Sequence, residues 1–558
     1  MISRAEALDA MGEGHFDVVV VGGGITGAGV ALDAASRGYS VALVERDDFG
    51  QGTSSRSSKM VHGGLRYLQN FDLGLVREAL LERQLLVRLA PHLVYPTPFL
   101  VPALGEERRN RRLGIGLNMY DVMATARIGR GRSQRNEHSG ESDYWSPDRH
   151  RTISGEEAAE LIPALEPMEP SSAYLFYDCQ TDDARLVLTV LGEAERFGAV
   201  VLNGAEVTEV VDEGGRAAGV AFTESESGER VEVRADNVVN ATGVWADRIR
   251  PEELHTEEEI PKIRPSRGTH VTVSTERLDI GTAACIVPAG GERTIFALPW
   301  YGHVLVGTTD NDYEGDIDQV PPSGDDIEYL LDALDSYFGT ELGPDDLTGA
   351  YAGVRPLISS GDPKKSVDIS RKAELYETSS GMLTITGGKL TTFRRMAAQV
   401  VDRIVERDGR EAECRTDDIP LGMAARPEDL ETSVALPQGA TDQLAFRYGH
   451  AARAVIDVCE ERPELAQPIV PGHPDLLAEV VIAARREQAR SVSDVLLRRT
   501  RLGLLAAPEL RDGEAPLAVA RALGEELGWS ESRLAAEHEA WSRVADAEGL
   551  DPARMPAQ

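Results

Sequence analysis

The sequence is poor in lysine and in cysteine, and it has no long apolar run. Six lysines stand against 52 arginines in 558 residues. Such an Arg-dominated, acidic composition fits a salt-loving host or a GC-rich genome equally. The four cysteines, Cys179, Cys285, Cys414 and Cys459, are isolated from one another. No CxxC spacing occurs, which argues against a zinc site or a Cys-ligated iron–sulfur cluster and predicts no metal. With so few thiols a reducing compartment is the simplest reading. The longest apolar stretch, residues 18–32, is too short and too glycine-rich to span a bilayer. The first 17 residues hold no apolar core of a secretory signal. A cytoplasmic protein, free or lying on the inner face of the cell membrane, is therefore expected.

Positive charge is also scarce. The chain carries 93 acids against 58 Lys+Arg, a net charge of −35. That field repels phosphate backbones and argues against nucleic acid as a partner. The length suggests three or four domains, or one large enzyme with an appendage. At 42% hydrophobic and 27% charged the chain is globular.

The first organised unit is a βαβ start. Residues 16–21 read as a buried strand, residues 25–37 as a helix closed by Gly38, and residues 41–44 as a second strand ending at Glu45. A helical segment is expected over 75–89, and an irregular, Arg-rich stretch over 95–150. Short β-like runs at 207–211, 217–223, 270–273, 304–307 and 383–386 suggest a sheet that carries a substrate site. Past residue 425 the period changes. Leu476, Leu477, Val480, Val481 and Ala484 share a helical face, and Val492, Val495 and Leu496 continue it. An α/β fold with an all-helical C-terminal domain follows. The expected division is 1–425 and 426–558, with the substrate part at 60–235 and 250–350 and a linker at 415–437.

Gly22, Gly24 and Gly27 fit GxGxxG, with Ile25 and Thr26 opening the helix. Gly22 permits the tight turn, Gly24 lets backbone approach a pyrophosphate, and Gly27 lets helix pack on strand. The helix N-terminus offers free N–H groups to phosphates, and Glu45 is placed to accept ribose hydroxyls. A glycine-rich turn of another α/β protein is the competing reading. The run 237–243 is a hydrophobic strand ending in the small turn Ala241-Thr242-Gly243, over which a nucleotide can lie closely. It favours FAD over NAD.

About one residue in six is acidic, yet residues 49–71 hold no carboxylate and keep Arg56, Lys59, His62 and Arg66. Residues 378–401 are acid-free with Lys389, Arg394 and Arg395. Residues 264–275 are acid-free with Arg267 and His270, and residues 351–361 with Arg355. A nearby carboxylate would cancel the field, at roughly 4 kcal/mol for a contact pair at an effective dielectric of about 20. The pattern suggests a pocket for a dianionic group beside a pyrophosphate, although buried glycine-rich segments lack acids for other reasons.

The stretch Thr53-Ser54-Ser55-Arg56-Ser57-Ser58-Lys59-Met60-Val61-His62-Gly63-Gly64-Leu65-Arg66-Tyr67-Leu68 resembles the signature of FAD-dependent glycerol-3-phosphate dehydrogenases. So do Asp182-Asp183-Ala184-Arg185-Leu186, Gly307-Thr308-Thr309-Asp310, Gly353-Val354-Arg355-Pro356-Leu357 and Gly387-Gly388-Lys389-Leu390-Thr391-Thr392. The likeness spans about residues 15–400. Arg447-Tyr448-Gly449-His450 and Leu497-Arg498-Arg499-Thr500-Arg501 resemble that family's helical domain. The resemblance implies a D-amino-acid-oxidase-like flavoprotein: a Rossmann-like FAD domain interleaved with an antiparallel-sheet substrate domain, capped by helices. Among its members the chain is similar to the aerobic, single-subunit type, a peripheral membrane protein that passes electrons to quinone. Residues 108–136, with eight arginines and only Asp121 as acid, form a candidate membrane or subunit contact; a solvated basic loop is the alternative. A homodimer is compatible with the sequence.

The implied reaction is oxidation of sn-glycerol 3-phosphate at C2. In that reading Arg66 and Arg355 clamp the phosphate, Thr308 and Asp310 line the pocket, and Tyr67 bonds the substrate or packs. His62 is the first candidate for the base, by its ordinary pKa near neutrality; His270 is the second, and a structural role is the alternative for His62. Lys389, before a helix from Leu390, stabilises negative charge on flavin or alkoxide. Thr53, Ser54 and Ser55 face the pyrophosphate or form a capping turn, and Gly388, Leu390 and Thr391 contact the flavin. Asp183 and Arg185 are expected to form a structural ion pair. Rival readings are an oxidase using oxygen, an amine or hydroxy-acid oxidase of the same fold, and a flavoprotein kept as a scaffold.

Overall fold

The computed structural model describes residues 4–64, 72–104, 111–124, 149–249, 262–291, 293–359, 373–552 and 555. Two sheets and a C-terminal helical unit make up these residues.

The first sheet is built on the strand His15–Val21, whose four successive valines are buried. A strand covered on both faces reads as a continuous β-branched run. It pairs in parallel with Val41–Val44 on one side and Arg230–Asn240 on the other. Val200–Leu202 extends the first edge, and Leu383–Gly387 the second. The helix Ile25–Ser36 packs between the helices Asp183–Arg196 and Phe393–Asp408 over this sheet. Gly38, with φ +88°, ends it in a left-handed turn. The hairpin Ala205–Asp212 and Ala217–Glu224 joins this same sheet through Arg230–Asn240. Segment 200–235, expected in the substrate part, therefore belongs with the dinucleotide sheet.

The second sheet has ten strands among the described residues. Its longest pair, Lys262–Ser274 and Leu347–Ser359 at one end of the sheet, sets Ser266 opposite Arg355, Gly268 opposite Gly353 and His270 opposite Tyr351. Because successive side chains alternate between faces, these six positions share one face. The strand Tyr95–Leu104 and the helix Arg111–Ala124 replace the irregular stretch expected within 95–150. Three prolines in that strand masked its β character in the sequence.

The helical unit includes Ala440–Tyr448, Ala452–Glu461, Leu477–Glu487, Ala515–Leu527 and Glu531–Glu548. The apolar stripe expected to run through Leu496 breaks at Gln488, whose φ of +53° ends one helix. A separate π-helical turn, Asp494–Arg499, begins afterwards. Segment 415–437 is a packed strap rather than a loose linker. Ile419, Leu421 and Leu430 are buried, and the Leu421 N–H donates to the Leu89 carbonyl at 2.7 Å.

Candidate functional site

The first sheet ends in a cradle. Gly22 has φ +109°, and a Cβ there would lie 2.7 Å from the Ala241 carbonyl oxygen. A Cβ on Gly27 would lie 1.9 Å from the Gly22 carbonyl oxygen, so only glycine lets this helix sit on its strand. Gly24 is the N-cap of Ile25–Ser36 and offers no side-chain cap. The Ser54 hydroxyl supplies one, accepting from the Ile25 N–H at 3.0 Å. Glu45 stands at the end of Val41–Val44 and accepts N–H bonds from Gly23 at 2.6 Å and Asp47 at 3.0 Å. Burial raises its pKa to about 7 against the pull of those two bonds. A carboxyl recessed beside a glycine-rich helix start fits the ribose and pyrophosphate of a dinucleotide. The fit extends to the turn after Asn240, where Gly243 has φ +60°, and to the tandem left-handed Gly387 and Gly388. Those residues give a flat, side-chain-free edge over which a flavin nucleotide fits.

Thr53 and Ser55 face other ways. The Thr53 hydroxyl donates to the Val354 carbonyl at 2.7 Å, tying the loop to the second sheet. Ser55 is buried, and its carbonyl accepts from Lys59 Nζ at 2.6 Å and Arg501 Nη2 at 3.1 Å.

The second sheet turns its Ser266–Gly268–His270 face toward this loop. A Cβ at Gly353 would meet Arg56 Cβ at 2.7 Å, and a Cβ at Gly268 would meet Arg355 Nη2 at 2.5 Å. Arg355 is held by Asp310 Oδ1, Thr308 Oγ1 and the Thr309 carbonyl, each at 3.2 Å. Sequence reasoning put Thr308, Asp310 and Arg355 in one pocket, and Thr308 and Asp310 both bond the Arg355 guanidinium. His270 is buried and stacks on the Tyr351 ring, with centroids 4.8 Å apart. Its Nε2 lies 2.8 Å from the Ser58 hydroxyl. Burial first, and then Lys59 and Arg355, push its pKa well below the usual imidazole value. His270 is a neutral hydrogen-bonding ring at pH 7, and a weak base.

His62 meets the other glycine-rich turn. Its N–H donates to Thr391 Oγ1 at 3.2 Å, and the same hydroxyl donates to the His62 carbonyl at 3.4 Å. Lys389 is the N-cap of the turn Leu390–Thr392, which leads into Phe393–Asp408. The start near Leu390 expected from sequence matches. Arg66 and Tyr67 lie outside the described residues.

The acid-free windows do not make an acid-free pocket. Arg56 pairs with Glu548 at 2.6 Å, Lys59 with Asp183 at 2.8 Å, Arg267 with Asp326 at 3.1 Å and Arg394 with Glu82 at 2.6 Å. Every one of these acids comes from a distant segment. Asp183 and Arg185 do not pair with each other. Asp183 takes Lys59 and Arg501, and Arg185 takes Glu487. Both sit in the helix Asp183–Arg196, where residues two apart point in different directions. Ser58, Tyr351 and Arg501 are site residues that the sequence reading did not single out.

A family model described as FAD dependent oxidoreductase matches residues 17–394. A second, described as the C-terminal domain of alpha-glycerophosphate oxidase, matches residues 414–534. Glycerol-3-phosphate dehydrogenase 2 of Mycobacterium tuberculosis (strain ATCC 25618 / H37Rv) is 36% identical over 99% of this chain and 92% of its own length. Aerobic glycerol-3-phosphate dehydrogenase of Staphylococcus haemolyticus is 32% identical over 87% of this chain and 86% of its own. The crystal structure of glycerol-3-phosphate dehydrogenase from Bacillus halodurans complexed with FAD superposes with a TM-score of 0.76 at 27% identity, covering 98% of both chains. The L-alpha-glycerophosphate oxidase of Mycoplasma pneumoniae shares the fold, with a TM-score of 0.53 at 16% identity.

Proposed function

The chain belongs to the family of FAD-dependent glycerol-3-phosphate dehydrogenases, and from that premise we propose that it oxidises sn-glycerol 3-phosphate at C2 to dihydroxyacetone phosphate and delivers the electrons to a quinone. The observation that carries this reading is the Arg355 guanidinium, fixed by Thr308, Thr309 and Asp310 on the sheet face that meets the dinucleotide loop. A planar guanidinium held in one orientation by these partners has the geometry that suits a phosphate.

Bound FAD supplies the two-electron acceptor for the C2 hydride. The chain binds the substrate phosphate through Arg355 and Arg66, with Tyr67 alongside. His62 takes the C2 hydroxyl proton on its imidazole. Lys389 stabilises negative charge as that proton leaves. His270, neutral and fixed, orients the substrate. Gly22, Gly24, Ile25, Thr26, Gly27, Glu45, Ser54, Ala241, Thr242, Gly243, Gly388, Leu390 and Thr391 hold the nucleotide. Residues 1–425 form the catalytic unit in this reading, and 426–558 close it from behind.

A quinone acceptor places the enzyme at a membrane surface. Among the described residues no helix is long and apolar enough to cross a membrane. Ile115, Met119 and Val122 expose one face of the helix Arg111–Ala124, within the arginine-rich stretch 108–136. An apolar stripe among arginines suits a peripheral contact with anionic lipid.

The test is anaerobic mixing with glycerol 3-phosphate while following the visible absorbance of oxidised flavin. Bleaching by glycerol 3-phosphate, but not by glycerol or amino acids, is expected; no bleaching overturns the substrate class. Re-oxidation by a quinone analogue should outrun re-oxidation by oxygen. The opposite order favours the second reading, a glycerol-3-phosphate oxidase, to which the C-terminal match to an alpha-glycerophosphate oxidase domain gives support.

A further inference from the structure

Beside His270 and Tyr351 on the substrate face lies a cluster of buried charges that the reaction itself does not use. Lys59 is fully buried with φ +56°, a left-handed conformation rare for a side-chain-bearing residue. Its ammonium donates to Asp183 Oδ2 at 2.8 Å and to the Ser55 carbonyl at 2.6 Å, and lies 4.5 Å from the centre of the Tyr351 ring. Arg501 comes from the helical unit, more than three hundred residues from Asp183 in sequence. It also has positive φ, at +65°, and is buried. Its Nη2 donates to the other oxygen of that carboxylate, Asp183 Oδ1, and to the same Ser55 carbonyl, each at 3.1 Å. Asp183 takes two further bonds from Ser57, from its N–H at 3.0 Å and its hydroxyl at 2.7 Å. The Tyr351 hydroxyl donates to the Ser57 carbonyl at 2.6 Å.

The next residue, Ser58, bonds His270 Nε2, while the Tyr351 ring stacks on the imidazole. Gly307 leaves the space on the strand opposite, since a Cβ there would lie 2.2 Å from His270 Cδ2. His270 thus touches Ser58 and Tyr351: Ser58 follows Ser57, which bonds Asp183, and Tyr351 bonds the Ser57 carbonyl with its ring 4.5 Å from the Lys59 ammonium. Two cations sharing one buried carboxylate and one carbonyl are costly to hold unless geometry and hydrogen bonds compensate. Here Asp183 accepts from Lys59, Arg501 and Ser57, and the Ser55 carbonyl accepts from both cations.

We propose that Arg501, acting through Asp183 and Ser58, is a positioning residue for the active site: the helical domain sets the orientation of the His270 imidazole. The proposal rests on the active-site reading above. A positioning residue alters turnover more than ground-state binding, and small displacements of a reacting group cost about ten- to a hundredfold in rate. The Lys59 ammonium adds to this, because burial first and Arg501 second bring its pKa down to about 7, beside the imidazole it helps to keep neutral.

The test is a double-variant cycle on the holoenzyme. Ser58→Ala removes the His270 contact and leaves the buried charges alone. Arg501→Lys keeps the cation and loses the fork. Tyr351→Phe removes only the bond to the Ser57 carbonyl, and replaces Arg501→Lys in the cycle where that variant does not fold. Each single variant should lower kcat about tenfold or more, with KM for glycerol 3-phosphate and Kd for dihydroxyacetone phosphate, read from the flavin difference spectrum, changed less than about threefold. The double variant should lose no more than the worse single one. Losses that multiply, or that merely follow FAD content, overturn the proposal. Failure of the parent reading looks different: the unmodified enzyme would then not bleach with glycerol 3-phosphate at all.

Discussion

Asp310 Oδ1 sits 3.2 Å from Nη1 of Arg355, so the cation assigned to the substrate phosphate already carries a carboxylate. The pair is partly buried, with 23% of the Arg355 side chain and 14% of the Asp310 side chain exposed. Asp310 fixes the guanidinium plane while weakening its field, which trades raw attraction for orientation. Arg355→Ala should therefore raise KM for glycerol 3-phosphate by about ten- to a hundredfold, the range of a lost charged hydrogen bond. Arg355→Lys should recover little of it, because a point charge cannot engage Thr308, Thr309 and Asp310 at once. Steady-state kinetics on both variants check this. An unchanged KM removes Arg355 from phosphate binding.

The two histidines should separate in kinetics. His62 adjoins the Leu390–Thr392 turn through Thr391, and His270 is buried with its pKa pushed well below 6.5. His62→Ala should lower kcat by about a hundredfold or more, the usual scale for a lost general base. His270→Asn should cost less and leave the acidic limb of the pH–rate profile in place, because the neutral ring does not titrate there. If the acidic limb vanishes with His270 and survives without His62, the roles are exchanged.

Much of this geometry was readable from sequence. The βαβ start was, because a glycine needed at a turn, a cap or a close approach leaves a fixed spacing at Gly22, Gly24 and Gly27. The grouping of Thr308 and Asp310 with Arg355 came from motif resemblance. The ion partners were not readable. The windows around Arg56, Lys59 and Arg267 lack acids, yet Glu548, Asp183 and Asp326 reach them from elsewhere in the chain. Charge spacing along a chain reports only local repulsion, whereas burial forces each cation to find an acid wherever the fold brings one. The Ser58–His270–Tyr351 contact escaped for the same reason, since it joins three segments more than fifty residues apart.

Asp48 anchors the helical unit to the dinucleotide domain. Its carboxylate takes Arg498 and both terminal nitrogens of Arg499, the latter at 2.6 and 2.8 Å. Burial alone would raise its pKa, but Arg499 and Arg498 bring it down to about 2. A carboxylate depressed in the folded state stabilises fully above its unfolded pKa near 3.8, and the stabilisation is lost as pH falls through about 2. Asp48→Ala removes the carboxylate that two buried guanidinium groups share, leaving Arg498 with Asp494 and Arg499 with Glu487, and should cost about 3 kcal/mol, the low end for a broken buried ion pair. Denaturant unfolding followed by helix signal measures it. A loss under about 1 kcal/mol would show that the two units hold together by apolar packing instead.

Glu45 behaves in the opposite sense. Burial raises its pKa from 4.5 to about 7 in the chain without nucleotide, although Gly23 and Asp47 each donate an N–H to it. The folded chain then holds this proton more tightly than the unfolded chain does. Its contribution to stability is fully present below about 4.5 and is lost as pH rises through about 7. Glu45→Gln removes that loss, so the apoprotein variant should show a Tm that changes less than the wild type's between about pH 5 and about pH 8. The same change takes away a charged acceptor for ribose hydroxyls and should weaken FAD binding by about ten- to a hundredfold. Calorimetry on the apoprotein and FAD titration separate the two effects. Equal FAD affinity in the variant would take Glu45 out of the cofactor site, and a parallel pH dependence of Tm would show that its carboxyl is ionised in the folded apoprotein.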